Sequence, residues 1–139
     1  MTTRPPSGMP PPTQAILAGG SGPIDLVALA SEICARYRAE FPDEHERYGD
    51  AGLAWCVHDN QHILGWAVGQ RNGYVDLRRE LGWLAGVLEA RAFPLDRLAR
   101  DLEIASAVAG ERLADPESAI ADDLAAGARY VRSRATPGE

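Results

Sequence analysis

The sequence predicts an all-α fold, an antiparallel bundle of four to five helices behind a proline-rich tail. Three observations carry that prediction. Apolar residues recur at three- and four-residue steps through successive stretches from about residue 24 onward, and no stretch alternates as a half-buried strand would. The breaks between stretches are short enough to force neighbouring helices to run antiparallel.

Residues 1–22 hold five of the ten prolines, with several glycines and serines. They cannot bury enough apolar surface to offset ordering at roughly 1–2 kcal/mol per residue, so a disordered tail is expected there. The helical bundle domain is expected over 23–134, with a frayed C-terminus at 135–139. Helix one is expected over about 24–40, carrying Leu26, Leu29, Ile33 and Tyr37, with Pro23 at its first position. After the break at Phe41-Pro42, Asp43 and Glu46 form a D-x-x-E start for a long second helix, apolar around much of its circumference. Asn72-Gly73 ends it. A third helix carries Leu77, Leu81, Leu84 and Leu88 as far as "AFP", and a fourth carries Leu95, Leu98, Leu102, Ala105 and Ala109. Asp115 as N-cap and Pro116 in the first turn launch a fifth with Ile120, Leu124, Ala128 and Val131.

Near-duplicate hexapeptides, "LGWAVG" at 64–69 and "LGWLAG" at 81–86, place four glycines inside helices, where each costs about 0.5–1 kcal/mol relative to alanine. The expected compensation is a close crossing of helices two and three, with Trp66 and Trp83 flanking it. A tryptophan-lined ligand pocket at the same crossing is the alternative.

A formal charge of -6 and the absence of any dense basic cluster argue against nucleic acid. All fourteen basic residues are Arg, a bias expected of a GC-rich bacterial coding sequence. No stretch reaches the roughly 20 apolar residues of a membrane span, and a cytoplasmic protein is the expectation. Cys34 and Cys56, without CxxC spacing, are expected to be free thiols.

The densest polar run is "HDNQH", 58–62. His58 and His62 share a helix face, but two ligands do not make a metal site, and no HExxH motif or Cys/His cluster completes one. Asp59 falls between Trp55 and Ile63, where an apolar residue is expected. Such a carboxylate must be paired or be neutralised, either tied to Arg36, Arg78, Arg79 or the Trp83 indole, or lining a ligand cavity. The charges of "RRE" and "ARDLE" are expected on solvated faces. No nucleophile with its base and no phosphate-cradling loop is present, so catalysis is not expected.

"RYGDAGLAWCVHDNQHILGWAVG" followed by "WLAGVLEARAFPLDRLARDLE" resembles the helical module that precedes the cobalamin-binding Rossmann domain in bacterial B12-dependent sensors and regulators. Asp59, His62 and Trp66 fall on the Asp and the two aromatic positions of that family's first motif; Trp83, Val87, Leu88, Arg91 and Pro94 fall on its second. Ile63 stands where the family often has His, Ala92 replaces its usual Gly, and the Rossmann half with its D-x-H-x-x-G loop is absent. The resemblance implies a sensory or regulatory module without a bound cofactor, acting on a protein partner or as a homodimer. The alternative is a small-molecule or tetrapyrrole-binding protein using the groove between helices two and three, with Trp55, His58, Asp59, His62, Trp66 and Trp83 as its ligand-binding residues. An apolar stripe on the outside of helix four or five would favour the partner. A cavity beside Asp59 would favour the ligand.

Overall fold

The computed structural model describes residues 10–135 of the 139-residue chain. A two-stranded antiparallel hairpin, β1 (Gln14–Ile16) and β2 (Pro23–Asp25), precedes five helices: α1 (Leu26–Glu40), α2 (Asp43–Arg71), α3 (Leu77–Ala90), α4 (Leu95–Arg112) and α5 (Ile120–Ala135). The all-α bundle predicted from periodicity is the fold, with this small hairpin added.

Side-chain pairings give the helix directions. Arg36 meets Glu111 and Arg112 meets Glu32, so α1 runs antiparallel to α4. Arg132 meets Glu103 while the Ser106 hydroxyl donates to the Ala121 carbonyl, so α4 and α5 form an antiparallel pair. Leucine, isoleucine, valine and alanine from all five helices make one continuous core, with Leu64, Leu81, Leu102 and Leu124 fully buried.

Several local expectations are corrected. Residues 10–22 are not a tail: Leu17 is buried, and this segment is tied down by side chains distant in sequence. Gln61 donates to the Pro12 carbonyl at 2.9 Å, and Asn72 both accepts from the Ala18 amide and donates to the Ile16 carbonyl. The buried Glu117 carboxylate accepts from the Ser21 amide and hydroxyl. Residues 1–9 and 136–139, expected to be disordered and frayed, lie outside the described residues; Ala135 is the last residue of α5. Pro23 sits in β2, and α1 begins behind Asp25, whose carboxylate accepts from the Ala28 amide. Asp43 does not cap α2, whose N-cap is Pro42 with no side-chain bond. A 3-10 turn, Glu117–Ala119, intervenes before α5.

The glycines do not form a crossing of α2 with α3. A methyl at Gly65 would meet Pro12, one at Gly69 would meet Val75, and those at Gly82 and Gly86 would face Tyr130 and Arg134 of α5. Each admits a different neighbour, while the tryptophans do meet: Trp66 and Trp83 stand edge to face, 6.5 Å apart. Cys34 and Cys56 are joined in a disulfide with Cα atoms 6.0 Å apart, so the expectation of free thiols fails; antiparallel packing of α1 on α2 brings together residues 22 apart.

Candidate functional site

Gly49 has φ 60° and ψ -148°, a conformation that side chains resist. This break within α2 lets its first turn reach α4, where Asp43 and Glu44 take the Arg97 guanidinium at 2.9 and 2.8 Å. Glu44 also accepts from the Tyr37 hydroxyl at 3.0 Å, so this buried carboxylate has both a charged and a neutral donor. Arg97 in turn lies over the Phe41 ring.

Behind that clamp the helices leave a cavity of about 330 Å³ between α1, α2, the end of α3 and α4, within the size range of small-molecule sites. Its wall is mostly apolar: Tyr37, Tyr48, Trp55, Ile63, Leu88 and Phe93 supply rings and branched chains. Into this lining come three polar side chains from the middle of the bundle, Asp59, Asn60 and Asp101.

Asp101 is 6% exposed and receives one hydrogen bond, from Asn60 Nδ2 at 3.0 Å. Burial first, then the nearby carboxylates of Asp59 and Glu44, push its carboxyl up to about 7 against the effect of that hydrogen bond. Burial likewise raises Asp59, opposed by His58, whose Nδ1 lies 3.4 Å away, and by the charges of His62 and Arg91. Asn60 places its amide nitrogen within reach of Asp101 and the Cys56 carbonyl, while its Oδ1, also buried, has no hydrogen-bond partner.

The six residues singled out in the sequence divide between two places. Trp55 and Asp59 line the cavity. His58, His62, Trp66 and Trp83 instead form an aromatic row from α2 to α3, with centroids 4.7, 6.0 and 6.5 Å apart, outside the cavity lining. Asp59 is not tied to Arg36, Arg78, Arg79 or Trp83. Arg36 pairs with Glu32 and Glu111, and Arg78 lies over the Tyr130 ring. Among the described residues no group of three His, Cys, Asp or Glu converges as a metal site.

Asp101 was the main omission, because "ARDLE" reads as a solvated charge run. Its signal was nevertheless present: Leu98, Asp101 and Ala105 are spaced three and four apart, so Asp101 interrupts an apolar stripe as Asp59 does. Arg97 and Glu44 could not be found this way, since their partner is fixed by the bend at Gly49.

Comparison with protein-family models, with curated proteins and with solved structures finds no match. No helix among the described residues is long and apolar enough to cross a membrane.

Proposed function

We propose that this chain is a non-enzymatic binding module that takes a small, mostly apolar molecule into the cavity between α1, α2, α3 and α4. The observation that carries the reading is a buried carboxylate, Asp101, facing that cavity with a single neutral donor. A carboxylate kept for structure would be matched by charge or by several donors, as Glu44 is. The alternative of a partner-binding stripe on α4 or α5 has less support: among the described residues, the large exposed hydrophobics are Ile16, Val27, Leu53, Tyr74 and Trp83, none of them on those helices. The tetrapyrrole version gains nothing from His58 and His62, whose rings lie against each other away from the cavity.

The sensory role implied by the likeness to B12-dependent sensors is retained in this reading, with ligand occupancy as its input. Exposure of Trp83 at the end of the aromatic row favours that surface as the output, toward a partner or a second copy. The disulfide fits an oxidising compartment better than the cytoplasm.

Titration with the neutral probe N-phenyl-1-naphthylamine tests the cavity. Its fluorescence should rise with saturation on the wild-type chain and not on Leu88→Trp, which fills the space. Equal response from both proteins would sink the reading.

A further inference from the structure

The proposed cavity has unequal charge matching, and that inequality specifies a ligand class. Of the acidic side chains lining it, Glu44 is neutralised by Arg97, which also holds Asp43. Asp59 and Asp101 have no guanidinium bound. The remaining lining cation, Arg91, is exposed and lies 5.8 Å over the face of Trp55. Beside the two carboxylates sits Asn60 Oδ1, buried and without a donor. The polar corner of the cavity therefore sets two carboxylates against one imidazole nitrogen, His58 Nδ1 at 3.4 Å from Asp59, and one amide, Asn60 Nδ2 on Asp101, so acceptors outnumber donors, while the rest of the wall is aromatic and aliphatic.

Resting on the small-molecule reading above, we infer that the ligand is an amphipathic organic cation: a ring-sized apolar body carrying one protonated amine, with the amine on the Asp59 and Asp101 carboxylates. An ammonium brings up to three donors to an acceptor-rich corner and matches the charge that burial otherwise disfavours. The Trp55 and Tyr48 rings, which also line the cavity, suit such a cation by their negative faces. An anionic ligand would meet the buried Asp101 and the half-buried Asp59 carboxylates and no unmatched guanidinium at that corner. Asn60 and Asp101, each more than nine-tenths buried and joined by a hydrogen bond, are fixed before the ligand arrives.

The test compares three probes with one body, 1-naphthylmethylamine, 1-naphthylmethanol and 1-naphthylacetate, by calorimetry at about pH 8, above the value to which Asp101 is pushed. The amine should bind at least about tenfold tighter than the alcohol, the advantage of a charge-assisted over a neutral hydrogen bond, and the acetate weakest. Asp59→Asn with Asp101→Asn should bring the amine to the level of the alcohol and leave the alcohol's affinity unchanged, which also shows that the variant retains its cavity. If the alcohol binds as tightly as the amine, or the acetate binds best, the cavity reading stands and the cation is overturned. If none of the three binds, both are overturned.

Discussion

Two acidic side chains expose almost no surface at different depths of this bundle, and they are treated in opposite ways. Glu117, beside the hairpin, is 4% exposed and accepts from the Ser21 amide at 2.6 Å and from the Ser21 hydroxyl at 3.0 Å. Those donors hold its carboxyl below the usual range. Asp101, beside the cavity, is 6% exposed, has one amide donor and is pushed up to about 7. Burial alone therefore does not mark a site. What separates the two is depth in the bundle together with the ratio of donors to acceptors around the carboxylate, and at Asp101 that ratio leaves room for something from outside.

The largest expected effect tests that difference directly. Asp101→Asn removes a charge the fold does not match, so it should stabilise the ligand-free chain. The sign follows from linkage. With its folded pKa raised, Asp101 binds more protons in the native than in the unfolded state, and the stability it contributes at low pH is lost as pH rises toward and through about 7. The variant's gain should be small at about pH 4 and largest above pH 7, at most about 4 kcal/mol. Urea melts of both proteins at the two pH values measure it. A loss of stability at high pH would mean that Asp101 is structurally matched after all.

The disulfide comes next, because it staples α1 to α2 beside the under-packed end. Its sequence separation of 22 gives a chain-entropy contribution of about 3 kcal/mol. Cys34→Ala should cost roughly that amount in melts without reductant, and dithiothreitol should lower the stability of the wild type but not of the variant. Identical melts for the wild type in both buffers would remove the staple from the account.

How much of this was legible in the sequence follows the same division. Helices, their order and most of the core could be read, because leucines at three- and four-residue steps report burial along one chain segment without knowledge of the others. Asp59 was legible for the same reason, as a polar residue in an apolar stripe. The ordered hairpin was not, since what holds it is Asn72, Gln61 and Glu117, from 49 to 96 residues away. Nor could the two tryptophan hexapeptides be separated: Gly65 admits Pro12 and Gly82 admits Tyr130, and identical local letters say nothing about which neighbour fills the space. The disulfide, too, depends on a helix pairing rather than on cysteine spacing.

Packing at the two places should respond unequally to the same added ring. Leu64 is fully buried in the core of the bundle, and Leu64→Phe should cost about 1–3 kcal/mol through overpacking. Leu88 faces the cavity, and Leu88→Phe should change stability by less than about 1 kcal/mol while weakening the apolar probe. Thermal melts distinguish them. Equal costs would mean that the cavity is not available space.

The smallest effect is local and concerns Glu117. Its folded pKa is lowered, so the stability it contributes is present above the unfolded carboxylate value and is lost as pH falls through the folded one, the reverse of Asp101. Glu117→Gln keeps an oxygen for the Ser21 amide but removes the charge that strengthens the bond. Amide exchange of Ser21 and of the Leu26 amide, which donates to the Thr13 carbonyl, should become severalfold faster at neutral pH, while amides in the middle of α4 keep their protection. At a pH low enough to protonate the wild-type Glu117, the two proteins should exchange alike at these positions. If the difference persisted there, the hairpin would be held by the shape of the side chain rather than by its charge, and Glu117 would no longer serve as the matched counterpart of Asp101.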